Sequence, residues 1–265
     1  MIFYRLATTL HPNYNDLEDG LIKVDYNFSD QIDAAGMVWS CINDISNYLT
    51  FHVNDGIYKG DTLLQPETFQ NLFKPHTIST DNAVYQTNVL TKPNWNTYGL
   101  GWFQQDYRGD KLDFHTGSLT GLIAIAGIMH GHDMAVYVFA NLDHAELRHA
   151  IMYKAIDLFV FNDDSRDWNQ EIFKLYSGFR DNAKESLKKT KEGRVPGTDP
   201  SLELYQYAGI YQNEMLGEVN VSEVNGQLLI DVNNYLHYIM EQWHYDTFIS
   251  NKDPKLLERL FINFT

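Results

Sequence analysis

The residues best suited to chemistry lie on one short stretch, His115-Thr116-Gly117-Ser118. It follows Lys111-Leu-Asp-Phe114 and leads into the apolar run Leu122-Ile-Ala-Ile-Ala-Gly-Ile-Met129. A basic residue, a hydroxyl and a glycine therefore share one strand, with a second apolar strand behind them. Histidine titrates near neutral pH, so His115 is expected to carry a partial charge there. The bland alternative is a Thr-Gly-Ser turn between strands, which needs no function.

Other groupings invite chemistry and fail on context. Ser186-Leu-Lys-Lys189 has a nucleophile and a base at the right spacing, but it lies in a charged run. A serine is activated by a partly buried base, and a solvated lysine is not one. Tyr211-Gln-Asn213 reads as a strand end. In His130-Gly-His-Asp133 the aspartate comes one residue too early for a metallo-hydrolase pattern. His144 and His149 are five apart, about 140° around a helix, so they share no face. No metal and no cofactor is expected. Trp39, Trp95, Trp102, Trp168 and Trp243 are scattered, as core and sheet aromatics are, rather than grouped as a glycan platform.

Composition sets the bounds. The 265 residues carry 35 acidic against 20 basic side chains, a formal net charge of −15. Nucleic acid is therefore not an expected partner, since no broad basic footprint exists to displace counterions. At 44% hydrophobic and 14% aromatic, the chain can bury a substantial core. A single cysteine, Cys41, rules out an internal disulfide. No run approaches the roughly 18 apolar residues a spanning helix needs, so no transmembrane segment is expected. The opening residues lack the basic start and apolar length of a signal peptide. Asn27, Asn220 and Asn263 head glycosylation sequons of the kind that arise by chance.

The elements that must position the motif follow from periodicity. The spacing predicts a helix over 37–51, capped by Ser40, with Val38, Ile42, Ile45 and Leu49 on its apolar face. A short helix is expected over 64–73, with Pro66 in its first turn. Residues 98–103 read as a strand whose glycines mark close backbone approach. Strands over 122–129 and 134–140 are joined by a hairpin turn, and 145–161 reads as a helix burying Ile151, Ala155, Leu158 and Phe159. A charged helix over 166–192 leads to linker punctuation at 193–200. Short strands follow at 205–211, 217–223, 227–232, 235–241 and 247–249, with Asn225-Gly226 as one turn. The expected fold class is α+β. An antiparallel sheet packed with helices occupies 1–162, a charged helix and linker 163–200, and a small antiparallel β-barrel-like domain 201–265. The chain stops in an apparent strand at 260–265, which suggests truncation at that end.

Three blocks in order resemble the class C β-lactamase-like serine hydrolases, a family that includes penicillin-binding proteins and esterases. They are Asp33-Ala-Ala-Gly-Met-Val-Trp-Ser-Cys-Ile-Asn-Asp-Ile-Ser-Asn-Tyr-Leu49, Tyr98-Gly-Leu-Gly-Trp102, and His115-Thr-Gly-Ser-Leu-Thr-Gly121 through Asn141. The last is similar to the family's Lys-Thr-Gly box in its His-x-Gly form. Leu204-Tyr-Gln-Tyr-Ala-Gly-Ile-Tyr211 and the strands after it are similar to a lipocalin-like domain often appended to such enzymes.

The resemblance implies a β-lactamase/transpeptidase-like fold and a reaction of acyl transfer to serine followed by hydrolysis. It implies a small-molecule or peptide substrate: an ester, a peptide or a β-lactam. His115, Thr116, Gly117 and Ser118 would form one wall of the site. Gly117 would leave room for substrate, and the Ser118 N–H would be an oxyanion-hole donor. The family's catalytic Ser and Lys, and the Tyr acting with them, have no counterpart in this sequence. The expectation is therefore a C-terminal portion of such an enzyme, silent on its own. The family is often periplasmic or secreted. The alternative is a non-enzymatic binding or assembly module, associating through exposed apolar surface or pairing with a separate N-terminal half.

Overall fold

The apolar runs on either side of the His130 turn become the middle of a six-stranded antiparallel sheet. A computed structural model describes residues 13–17, 20–24, 33–36, 38–79, 85–119, 121–142, 145–214, 217–232, 236–251 and 260–265. In chain order, a hairpin of β1 (Asn13–Leu17) and β2 (Gly20–Val24) precedes α1 (Asp33–Gly36) and α2 (Ile42–Val53). A two-residue pair, β3 (Ile57–Tyr58) and β4 (Asp61–Thr62), precedes α3 (Pro66–Leu72). The sheet then builds from β5 (Thr77–Ser79), β6 (Asn96–Tyr98), β7 (Phe103–Tyr107), β8 (Asp110–Leu119), β9 (Leu122–Met129) and β10 (Met134–Ala140). Helix α4 (Asn88–Thr91) lies between β5 and β6, and α5 (Leu147–Phe159) and α6 (Trp168–Glu192) follow β10. The chain divides into two compact units, Met1–Arg180 and Asp181–Thr265. The fold class is α+β, as expected.

Turn chemistry sets the register of the first unit. β7 and β8 are joined by Arg108 and Gly109, both at positive φ (58° and 95°), the backbone of a two-residue hairpin. The expected strand over 98–103 is instead a turn. Tyr98 pairs with Phe103, and the Gly99 N–H donates to the Trp102 carbonyl at 2.8 Å. Close approach is nevertheless why Gly99 is glycine: a Cβ there would lie 2.6 Å from the Leu72 carbonyl oxygen.

Strand alternation then gives the sheet two faces. Leu112, Phe114, Ile125 and Met129 pack with Met152, Tyr153 and Ile156 of α5 and Trp168 and Ile172 of α6. Ala126 and Ile128 pack with Phe69, Phe73 and Trp102 on the other side. Truncating one of these fully buried aliphatics to alanine costs about 2–5 kcal/mol. Asp157 ties the layers together. It accepts from Tyr107 Oη at 2.7 Å, Trp168 Nε1 at 2.6 Å and Arg108 at 3.2 Å.

Two helix faces differ from expectation. Helix α2 begins at Ile42 with Cys41 as its N-cap; Val38 is 84% exposed, and Met37 lies outside the described residues. The inward positions are Ile45, Leu49 and His52. On α5 the expected face points outward: Phe159 is 81% exposed and Ile151 45%. The buried side carries Ala150, Met152, Tyr153 and Ile156 together with Arg148, His149 and Asp157. Apolar residues occupy both sides of this helix, and the polar groups that must find buried partners decide which side turns inward.

The second unit is one antiparallel meander of β11 (Gly209–Asn213), β12 (Gly217–Val224), β13 (Gln227–Val232), β14 (Leu236–His244), β15 (Thr247–Ser250) and β16 (Phe261–Asn263). Among the described residues β11 and β16 are its edges, and Val221, Leu228, Ile230, Met240, Phe248 and Tyr207 form its core. Asn225 and Gly226 make the expected turn at φ 52° and 78°. Among the described residues no helix is long and apolar enough to cross a membrane.

Candidate functional site

The hairpin register decides where the backbone of the motif points. In an antiparallel ladder, residues alternate between pairs that exchange both backbone hydrogen bonds and pairs that exchange none. The two-residue turns close on Tyr107↔Asp110 and Leu119↔Leu122. Counting from these, Asp110, Leu112 and Phe114 bond toward β7, and so do Thr116 and Ser118. His115, Gly117 and Leu119 bond toward β9. β7 ends at Phe103, opposite Phe114. Beyond that point the N–H and C=O of Thr116 and Ser118 face an edge with no strand partner among the described residues.

The side chains bear this out as a distinct surface. His115, Gly117 and Ser118 are exposed and Thr116 is half-buried. A Cβ on Gly117 would meet no heavy atom within 4 Å. His115 stacks on Phe103 with ring centroids 5.5 Å apart. Burial lowers the pKa of its imidazole and so favours the neutral form. Thr116 donates to the Ala124 carbonyl at 3.0 Å.

Behind the strand lies a polar network that the sequence reading missed. Tyr85 Oη is 2.5 Å from His149 Nε2. Burial keeps this phenol protonated well above its usual pKa, and the hydrogen bond with Thr116 only partly opposes that. The other ring nitrogen, His149 Nδ1, lies 3.2 Å from the Glu146 backbone carbonyl and 3.1 Å from a Glu146 carboxylate oxygen, and which of Tyr85 and His149 donates across their contact depends on the imidazole tautomer. The same carboxylate oxygen is 3.3 Å from Arg148. Arg148, only 7% exposed, donates to the Gly117 carbonyl at 2.7 Å, to Ser118 Oγ at 3.1 Å and to the Ala124 carbonyl at 3.3 Å. One signal was available: Glu146, Arg148 and His149 crowd the start of helix α5.

The remaining candidates do not join this site. Ser186 is exposed on α6, and Lys189 is 72% exposed with its Nζ 3.9 Å from Glu185. The Tyr211 hydroxyl donates to the Tyr207 carbonyl at 2.8 Å. His130 and His132 form a single helical turn closed by Asp133 at φ 50°, and His132 pairs with Asp110 at 3.1 Å. His144 lies outside the described residues. Among the described residues no three His, Cys, Asp or Glu side chains converge to hold a metal ion. Ser118 Oγ accepts from Arg148, and among the described residues no base hydrogen-bonds to it. The arrangement therefore offers an open strand edge beside a largely buried polar network, and among the described residues it does not pair a nucleophile with a base.

Comparison with known proteins adds the following. A family profile described as a domain of unknown function, DUF3471, matches residues 193–265. No curated protein matches the chain. Among solved structures, the octameric penicillin-binding protein homologue from Pyrococcus abyssi is similar at 15% identity and a TM-score of 0.48, over 94% of this chain and 48% of that one. SurE is similar at 16% identity and a TM-score of 0.40, over 96% of this chain and 51% of its own. SurE with D-Leu gives 15% identity and a TM-score of 0.29, over 82% and 44%. The chain spans about half the length of these structures.

Proposed function

We propose that the first unit forms one wall of the active site of a β-lactamase-related serine hydrolase, and that this chain alone turns nothing over. The full reaction is acyl transfer to a serine and then hydrolysis, with an ester, a peptide or a β-lactam as substrate. One observation carries the reading. Among the described residues the motif strand has no pairing strand at the edge presented by Thr116 and Ser118, next to a glycine with open space over it. An extended acyl or peptide ligand adds to such an edge as a further strand. The Ser118 N–H, pointing out of that edge, is an oxyanion donor worth about 3–4 kcal/mol in the transition state. His115, beside the edge and shifted by burial toward its neutral form, is an acceptor for the proton network of the complete site. The serine and its base come from outside this wall. The second unit, six short strands in a meander, is the lipocalin-like companion domain of the same reading.

Two measurements on the purified chain test it. Acetyl-tetraalanine-amide should shift the Thr116 and Ser118 amide resonances saturably, and p-nitrophenyl acetate should not be hydrolysed beyond the buffer rate. Shifts that spare those two amides sink the edge assignment. Efficient ester turnover that His115→Ala abolishes sinks the claim of silence.

A second reading, an assembly module, draws on the outward face of α5. Leu147, Ile151, Leu158 and Phe159 are 50%, 45%, 40% and 81% exposed. Apolar area of this kind favours association. Concentration-dependent light scattering that Phe159→Glu suppresses would favour it, and a monomer at every concentration would remove it.

A further inference from the structure

The wall contains a device for aiming its own donor. Within one peptide unit the C=O of a residue and the N–H of the next point in opposite directions, because the unit is planar and trans. The Gly117 carbonyl and the Ser118 N–H belong to one such unit. Whatever fixes the carbonyl inward fixes the N–H outward, toward the open edge. Arg148 holds that carbonyl at 2.7 Å, the shortest of its three contacts with the motif hairpin.

We infer that Arg148, held in turn by Glu146, is the positioning residue that aims the Ser118 N–H at the open edge, an inference that rests on the wall reading above. Gly117 is also paired with Ala124 in the β8–β9 ladder, so Arg148 adds a charge-assisted bond to a carbonyl that the ladder already turns toward β9, at a residue with no side chain of its own to hold the strand.

Arginine suits the task because its planar fork reaches several acceptors at once, whereas lysine offers one point of contact. Burying that charge is costly unless it is paired and fully bonded. The surroundings supply the pairing, while the Arg148 Nε–H keeps no hydrogen-bond partner among the described residues. The Glu146 carboxylate lies 3.3 Å from Arg148 and 3.1 Å from His149, and His149 is anchored by Tyr85 on its far side. One polar side chain, Arg148, thus reaches this peptide bond, and Glu146, His149 and Tyr85 form a connected chain of contacts behind it. A charge-assisted hydrogen bond to a carbonyl is short and directional, which is what orientation requires.

The test separates this device from the reading it rests on. Residual dipolar couplings of the Ser118 N–H, measured on the full chain without ligand, report its direction. Titration with acetyl-tetraalanine-amide reports its use. Arg148→Ala should reorient the Ser118 vector and weaken the peptide by roughly tenfold or more. Arg148→Lys should recover part of both. Glu146→Gln, which leaves the guanidinium in place but unpaired, should fall between and serves if Arg148→Ala does not fold. An unchanged Ser118 vector in a folded Arg148→Ala or Glu146→Gln chain overturns the positioning role. A wild-type chain that ignores the peptide overturns the wall reading instead.

Discussion

A methyl group added at Gly117 and another at Gly99 should have opposite effects, and the contrast separates what the fold needs from what a ligand needs. At Gly117 a Cβ meets nothing within 4 Å, and the residue is not among the glycines at positive φ. Alanine fits that backbone and restricts the unfolded chain, so Gly117→Ala should stabilise by about 0.4–1 kcal/mol. In a unit of this size that is a rise of about 1–4 °C in Tm. At Gly99 the new Cβ would sit 2.6 Å from the Leu72 carbonyl oxygen and 3.3 Å from that of Lys74. Both obstacles are backbone and cannot rotate aside, so Gly99→Ala should cost about 1–3 kcal/mol or more. Urea unfolding followed by hydrogen exchange of the β8 and β9 amides reads the first unit separately from the second. On the wall reading a ligand occupies the space over Gly117, so the stabilised Gly117→Ala chain should also bind acetyl-tetraalanine-amide about tenfold more weakly. Were Gly117→Ala to lose more than about 1 kcal/mol, the glycine would be a requirement of the fold. The argument that it is kept open for a ligand would then fail.

Two further outcomes follow from buried polar groups. His52 is 3% exposed, ringed by Tyr48, Phe51, Phe69, Phe73 and Trp102, and burial, then the charge of His130, lowers its pKa to about 4. The unfolded chain takes up this proton near pH 6.5, so the stability His52 contributes is complete above that pH. It drains away as pH falls toward 4, about 3 kcal/mol in all, and a His52→Phe chain should lose that much less between pH 7 and 4 in urea titrations. Equal losses in the two chains would refute it. Asp157→Ala strands the buried donors of Tyr107 and Trp168 and should cost about 3–5 kcal/mol by thermal unfolding, with Asp157→Asn costing less. A loss under about 1 kcal/mol would mean the carboxylate is not the tie between sheet and helices.

Elements with a single period were legible in the sequence. β9 and β10 fall at the expected residues because their apolar runs are bounded by the His130 turn, and Asn225-Gly226 admits little but a tight hairpin. Where two signals compete, the chain follows the one that periodicity does not weigh. Tyr98 to Phe103 has the aromatics of a strand, yet Gly101 at φ 84° and the Leu72 carbonyl beside Gly99 bend it into a turn. Helix α2 could begin at any of several residues, since the apolar stripe that includes Val38 and Ile42 continues past the point where packing starts.

The motif itself was legible as four residue types, and its working surface was not, because that surface depends on register. That Thr116 and Ser118 rather than His115 and Gly117 face the open edge follows only once two hairpins are seen to close on Tyr107↔Asp110 and Leu119↔Leu122. A slip of one residue would exchange the two sets. The network behind the strand was hidden for a related reason. Read along the helix, Glu146, Arg148 and His149 look like a solvated first turn, and the apolar residues Ile151, Leu158 and Phe159 look like its buried face. The helix turns the other way because the sheet offers carbonyl oxygens at Gly117 and Ala124 and a phenol at Tyr85, partners supplied by residues at least 24 positions away in sequence. Buried polar side chains are placed by partners distant in sequence, so a pattern that counts only local hydrophobicity assigns them to solvent. The consequence is specific to this chain: the side of α5 that hydrophobicity alone would bury is the side left exposed, and the side that it would expose holds the motif in place.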